Sequence, residues 1–220
     1  MFAFTPPPQP AIPINGSQHT FPVRRIFCVG RNYADHAREM GAESAEPPCF
    51  FTKPADAVLS PPEDGGEFLV PYPPATNDLH HEVELVVALD EEGIFGYAVG
   101  LDLTRRDLQQ AAKEKRWPWD MAKGFDSSAP VSAIMPVART GPLAAGRIRL
   151  FVNESLRQDG DISAMIWPVD SVMAELGKLV ALKSGDLIFT GTPAGVGPLV
   201  KGDRFRAEIE RVGVLAGRIV

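Results

Sequence analysis

Hydrophobic and polar positions along this chain mostly alternate with the short period of β-strands, and only a few stretches carry the longer period of a helix. Residues 26–29 read as a short buried strand running into Gly30. Asn32 then stands where a helix N-cap belongs, ahead of a helix over 33–40 that Gly41 stops. Runs rich in Val, Ile, Leu and Phe predict further strands over 83–89, 96–103, 147–152, 186–190 and 204–220. Two more helices interrupt them. One opens at Thr104 with Asp107 as its capping-box-like acid, and the other carries Val172, Leu176, Leu179 and Val180 on one stripe.

Strands and helices do not alternate regularly enough for a doubly wound sheet, so the expected class is α+β, mostly β. Before residue 25 the chain is punctuated by Pro6-Pro7-Pro8, Pro10, Pro13 and Pro22, which predicts an extended arm over 1–24 without regular hydrogen bonding. One catalytic domain over 25–220 follows. Proline clusters at Pro47-Pro48, Pro61-Pro62 and 71–74 mark irregular loops inside it, and no internal repeat is visible.

Composition narrows the partners. At 220 residues and 45% hydrophobic content, a single well-buried core is normal. A net charge of −6 argues against a broad nucleic-acid face, which needs clustered Lys and Arg. No run approaches the ~18 uninterrupted apolar residues of a membrane helix, and the N-terminus is not signal-like, so the expectation is a soluble, cytoplasmic chain without a membrane partner. Cys28 and Cys49 lack a CxxC spacing, so they indicate neither a disulfide framework nor a zinc knuckle and are read as buried spectators.

The run from His80 to Leu89 carries the sharpest chemical signal. A period of two puts His80, Glu82, Glu84, Val86 and Ala88 on one face, so two carboxylates share a partly apolar surface. Burying like charges without compensation costs several kcal/mol or forces protonation, and a cation resolves the conflict. Asp102, facing the same way as Ala98 and Gly100, adds a third carboxylate, with small neighbours expected to leave ligand space. An all-oxygen set favours Mg²⁺ or Mn²⁺, with Ca²⁺ also compatible. The bland alternative is a solvent-facing strand with ordinary alternation, which Val86 and Ala88 argue against. A zincin reading of His80-His81-Glu82 fails because Leu85 stands at the second His position.

Two other pairs share helical faces. His36 and Glu39, spaced i, i+3, form an imidazole with a carboxylate to orient it. Arg106 and Gln109 have the same spacing after Asp102, and an Arg fork suits carboxylate recognition. The run from Thr190 to Gly197 lacks the GxxxxGK[ST] pattern of a phosphate loop, so no nucleotide cofactor is expected.

Taken together, the runs 26–33, 51–54, 80–84, 96–109, 119–130 and 185–197 resemble the fumarylacetoacetate hydrolase superfamily, in its fumarylpyruvate and acylpyruvate hydrolase branch. The runs 116–126 and 52–58 look most like fumarylpyruvate hydrolases of gentisate breakdown; oxaloacetate decarboxylases and broad acylpyruvases share much of the wording. The resemblance implies a rolled mixed β-sheet with a few short helices, assembled as a homodimer, with Glu82, Glu84 and Asp102 holding Mg²⁺ or Mn²⁺. It implies His36 and Glu39 as the water-activating pair on a lid and Lys123 as the active-site lysine. Arg31, Arg106, Gln109 and Thr192 become substrate contacts. The implied reaction is hydrolysis of a carbon–carbon bond in a 2,4-diketo acid, fumarylpyruvate giving fumarate and pyruvate. Oxaloacetate decarboxylation and a catalytically silent metal-binding scaffold are the rivals. The chain departs from the family pattern between Ala88 and Gly96, where relatives usually carry a longer connection, and this places one wall of the pocket in question.

Overall fold

The computed structural model describes residues 2–34, 47–62 and 66–220. A six-stranded mixed sheet runs in the spatial order Met135–Pro136, Gly93–Leu101, Val83–Asp90, Asp186–Phe189, Arg25–Gly30, Cys49–Lys53. A five-stranded sheet runs Ser155–Asp161, Arg147–Val152, Arg204–Ile209, Gly213–Ile219, Leu69–Val70. The α+β, mostly β class is confirmed.

The near-continuous apolar run at 85–89 follows from burial on both sides of its strand. Leu85, Val87 and Leu89 pack into a core shared with Ile148, Leu150, Phe205 and Leu215 of the five-stranded sheet. Val86 and Ala88 point the other way, into a second cluster with Ile26, Cys28, Ala98 and Phe189. Alternation here separates two cores instead of separating core from solvent.

The second cluster is closed by residues expected to form an unbonded arm. Ala11–Pro13 pairs antiparallel with Thr20–Pro22, and Ile12, Phe21 and Val23 are buried beneath the six-stranded sheet. The N–H of Ile134 donates to Pro13 O and that of Asn15 to Ile134 O, both at 2.8 Å. Pro13 and Pro22 sit at strand ends, where a missing N–H is tolerated. The arm reading therefore fails from Ala11 onward.

Other boundaries move for local reasons. The expected strand over 204–220 is a hairpin, turned by Arg211 and Gly213 at φ 66° and 149°. The helix expected to open at Thr104 spans Arg106–Lys115, because Thr104–Arg105 joins a sheet ladder. Asp107 is not a cap for that Thr; its carboxylate accepts from Thr76 Oγ1 at 2.6 Å. The helix Val169–Leu179 buries Val172 and Leu176 while Leu179 is exposed. Cys28 is buried, but Cys49 is exposed, against the expectation for both. Beyond Tyr33 and Ala34, the helix expected over 33–40 lies outside the described residues. Among the described residues, no helix is long and apolar enough to cross a membrane.

The shortened connection after Ala88 is a tight hairpin turn, in which Asp90 Oδ1 accepts from the N–H groups of Glu92 and Gly93 at 2.9 and 3.1 Å. It closes the hairpin at Asp90 and Gly93, whereas Glu84 pairs with Gly100 near the other end. At the usual strand rise, that separates turn from carboxylate by about 20 Å. The turn does not wall the site, which corrects the expectation that it would.

Candidate metal centre and substrate site

Glu82 and Asp102 lie at a seam where two paired strands change sheets together. Leu79–His81 belongs to a three-stranded sheet with Thr104–Arg105 and Gly197–Leu199, then the chain passes Glu82 and continues as Val83–Asp90 in the six-stranded sheet. Its neighbour makes the reverse change, leaving Gly93–Leu101 at Asp102 for Thr104–Arg105. The Asp102 N–H donates to Glu82 O at 2.9 Å across this seam. The single strand expected from His80 to Ala88 is thus broken at Glu82, and His80 pairs with Thr104 in the small sheet.

The three carboxylates meet as the sequence pattern implies. One ligand oxygen from each of Glu82, Glu84 and Asp102 lies within 4.8 Å of the others, and none of these residues is more than 5% exposed. Gly100 plays a different part from the one expected. A Cβ there would lie 2.5 Å from Val86 Cγ2 and 2.7 Å from Phe189 Cε1, so its smallness admits neighbouring side chains and leaves no ligand space.

Cations crowd the cluster. Lys123 Nζ donates to Glu82 Oε2 at 2.8 Å and Asp102 Oδ2 at 2.6 Å. Arg106 Nη2 donates to Glu82 Oε1 at 2.5 Å, and Lys53 Nζ sits 2.9 Å from Asp102 Oδ1. Burial opposes the charge on Lys123, but Asp102 and Glu82 outweigh it and raise its pKa. Glu84 lacks such a partner: among the described residues no Lys or Arg pairs with it, and its recorded contact is the N–H of Gly191 at 2.7 Å. Burial, then Asp102 and Glu82, push its carboxyl well above the usual range.

These observations test the fit of a divalent cation. Asp102 Oδ1 is buried and, despite the nearby Lys53, has no aligned hydrogen bond. Glu84 is an acid that Lys123 and the Gly191 N–H compensate only in part. Oxygens bound to one Mg²⁺ at ~2.1 Å lie ~3.0 Å apart when adjacent and ~4.2 Å when opposite, so the three side chains, within 4.8 Å of one another, would draw closer around the ion. All-oxygen donors with two unmet demands fit a hard cation.

Beside the carboxylates, a buried amide sets the direction of several hydrogen bonds. Gln158 Oε1 accepts from the Val83 N–H at 3.1 Å, and Nε2 donates to Pro193 O at 2.8 Å. Neither backbone group can exchange roles, so the amide orientation is determined. His81 Nδ1, 3.0 Å from Oε1, must then carry the hydrogen, and burial holds that imidazole neutral with its pKa lowered to about 4. Thr192 Oγ1 accepts from Nε2 at 2.7 Å, which leaves its own O–H free to donate into the cavity it lines. The same logic applies to Gln109: its Oε1 accepts from Arg106 Nη1 at 2.6 Å, so its Nε2–H₂ faces elsewhere.

The sequence-derived candidates mostly converge. Arg31, Glu82, Glu84, Asp102, Arg106, Gln109, Lys123 and Thr192 line one cavity, together with Phe51, Lys113 and Trp119. His36 and Glu39 lie outside the described residues. Asn32, read as a cap, is a buried tie, donating through Nδ2 to Trp167 O and Thr190 O at 2.9 and 2.8 Å. Thr190 donates to Leu85 O and is structural. Sequence reasoning missed Lys53 and Gln158. A lysine on an inward strand position beside Phe51 could have signalled the first; the polar run 155–161 offers nothing comparable for the second.

Comparison with known proteins agrees with this geometry. The model of the fumarylacetoacetate (FAA) hydrolase C-terminal family matches residues 25–220. The crystal structure of fumarylpyruvate hydrolase from Pseudomonas aeruginosa, in complex with Mn²⁺ and pyruvate, is similar with TM-score 0.96 and 43% identity, covering 100% of this chain and 99% of that one. The mitochondrial oxaloacetate tautomerase FAHD1 of Mus musculus is 42% identical over 200 residues, 86% of this chain and 88% of the mouse protein. The mitochondrial oxaloacetate decarboxylase of Dictyostelium discoideum is 36% identical over 197 residues, 84% of this chain and 88% of its own.

Proposed function

This chain belongs to the fumarylacetoacetate hydrolase family, and from that premise we propose that it is a metal-dependent acylpyruvate hydrolase that cleaves fumarylpyruvate to fumarate and pyruvate. The observation that carries the reading is the buried carboxylate cluster, in which Glu84 has no ion-pair partner among the described residues, in a fold matched along its whole length by a fumarylpyruvate hydrolase. Glu82, Glu84 and Asp102 would hold Mg²⁺ or Mn²⁺, which when bound supplies Lewis-acid stabilisation of negative charge on substrate oxygens.

The chain's own groups supply binding and proton transfer. Lys123, Thr192 and Gln109 each keep a hydrogen to donate after their protein contacts are made, and all three line the cavity. They suit the carboxylate and keto oxygens of a 2-oxo acid. His36, oriented by Glu39, takes a proton from water as it attacks the 4-keto carbon. The bond between carbons 3 and 4 then breaks, its electron pair leaves with the pyruvate half, and that half takes up a proton at carbon 3. Fumarate departs with the water oxygen. The homodimer belongs to this reading and is checked by sedimentation.

The relatives that act on oxaloacetate favour a second reading, tautomerisation or decarboxylation of that 2-oxo dicarboxylate on the same donors. Fumarylpyruvate, acetylpyruvate and oxaloacetate are assayed side by side with Mg²⁺ or Mn²⁺, following pyruvate release and keto–enol conversion. Cleavage of fumarylpyruvate as the fastest reaction supports the proposal; turnover of oxaloacetate alone replaces it with the second reading. Turnover of none leaves a metal-binding scaffold. His36→Ala is expected to abolish acylpyruvate cleavage while sparing decarboxylation, and equal loss of both counts against the water-activating role.

A further inference from the structure

Most cations around the cavity are already engaged by carboxylates. Arg106 is bound to Glu82, Lys53 faces Asp102, and Lys123 bridges both acids. Lys113 lines the same cavity without an ion pair to any described carboxylate, and its recorded contact is the Trp119 ring, 5.6 Å from Nζ to centroid. It shares a helix face with Arg106 and Gln109, at spacing i, i+3, i+7, which places it about 10 Å along the axis from Arg106.

Charge counting shows what such a group could serve. Glu82, Glu84 and Asp102 are matched in number by Lys53, Arg106 and Lys123, and Arg31 lines the cavity as well, so a bound divalent cation leaves positive charge in excess at the end where the 2-oxo acid group sits. A second carboxylate, at the far end of the substrate, needs a cation away from that centre. The walls between are aromatic: Phe51 packs edge-on against Trp119 at 6.0 Å, a surface suited to a flat unsaturated acyl chain. Burial, then Arg106 and Arg31, lower the Lys113 pKa, so an incoming anion would relieve a repulsion already present.

We propose that Lys113 binds the distal carboxylate of the substrate and thereby selects dicarboxylic acylpyruvates over monocarboxylic ones. The inference rests on the acylpyruvate reading of the site and names the substrate class within it.

The test uses two substrate pairs. Lys113→Met and Lys113→Arg are compared with the unaltered protein on fumarylpyruvate and acetylpyruvate, with Mg²⁺ present. Binding of 2-oxoadipate and 2-oxohexanoate, which differ only in the distal carboxylate, is measured by calorimetry on the Mg²⁺-loaded protein. Lys113→Met is expected to lose about ten- to a hundredfold in kcat/KM on fumarylpyruvate, mostly through KM, and a similar factor in 2-oxoadipate affinity. Acetylpyruvate and 2-oxohexanoate should be unaffected, and Lys113→Arg should retain the preference. Lys113→Gln carries the same expectation as Lys113→Met should the latter fold poorly. Equal losses within each pair, or no loss, overturn the proposal. A protein that cleaves neither acylpyruvate but shows a Lys113-dependent preference for 2-oxoadipate upholds Lys113 and removes the hydrolase reading instead.

Discussion

Gln158 Nε2 donates to Thr192 Oγ1 at 2.7 Å, so a fully buried amide on one sheet dictates which way a hydroxyl on the cavity wall can donate. The same amide holds the Val83 N–H and the His81 Nδ1–H, and so braces the strand that carries Glu84. Replacing it with leucine strands several buried polar groups at once. Gln158→Leu is expected to lower unfolding free energy by about 2–4 kcal/mol, read by urea denaturation. A stability change within error would show that water substitutes for the amide. Thr192→Val should leave the fold largely intact and raise KM more than it lowers kcat, if the hydroxyl meets substrate.

Glu84 links pH, metal and stability. Its carboxyl is raised above the usual range by burial and by Asp102 and Glu82, so the folded metal-free protein holds a proton that the unfolded chain releases. Stability from this group is full below the ordinary carboxylate range and is lost as the pH climbs from there through the raised value. Melting temperature measured in chelator should therefore fall with rising pH across that window, and added Mg²⁺ should flatten the fall. Glu84→Gln should remove both the slope and the Mg²⁺ response while raising the neutral-pH melting temperature in chelator. A variant that keeps the Mg²⁺ response would show that Glu84 is not a ligand.

Lys53 presents a related case, since its ammonium is buried against Asp102 and the carbonyl of Leu103. Removing Lys53 leaves Asp102 with Lys123 alone and strips the cation from its buried Oδ1. Lys53→Met is expected to cost about 3–5 kcal/mol in the metal-free protein. Divalent ion at a hundred times its Kd should return about 2.7 kcal/mol if it binds only the folded state. Thermal melts with and without Mg²⁺ read both figures, and a variant equally stable in chelator would refute the pairing.

Two glycines make a matched control. Gly100→Ala puts a methyl group 2.5 Å from Val86 Cγ2, an overpacking expected to cost about 1–3 kcal/mol and to weaken Mg²⁺ binding through the facing Glu84. Gly177, inside the helix Val169–Leu179, has nothing within 4 Å of an added Cβ, so Gly177→Ala should stabilise by about 0.5–1 kcal/mol. Chemical denaturation of the two variants tests the sign difference directly.

Much of this site was legible because its chemistry is concentrated in strands whose spacing is visible. Glu82, Glu84 and Asp102 stand out as acids in apolar runs, and Lys123, Arg106, Gln109 and Thr192 fall within motif runs that the resemblance covers. Lys53 lies in such a run too, but only the folded chain shows its ammonium against Asp102. Gln158 was invisible, because its role depends on a sheet crossing that brings residue 158 to residues 81, 83 and 192. The N-terminal hairpin was misread for a related reason. Its prolines announce missing donors, but Pro13 and Pro22 fall at strand ends of a local hairpin, and the bonds that anchor it, from Pro13 and Asn15 to Ile134, come from far along the chain.

The parallel pairing of Arg25–Gly30 with Asp186–Phe189, and the antiparallel pairing of that late strand with Val83–Asp90, have a consequence for biosynthesis. Every acid of the cluster is translated before residue 103, yet the strand flanking Glu84, the Gly191 N–H that holds it and the Thr192 hydroxyl arrive only with the last sixth of the chain. A nascent chain arrested before residue 186 should carry all three acids and still fail to retain a cation, because the scaffold that gathers them has not yet left the ribosome.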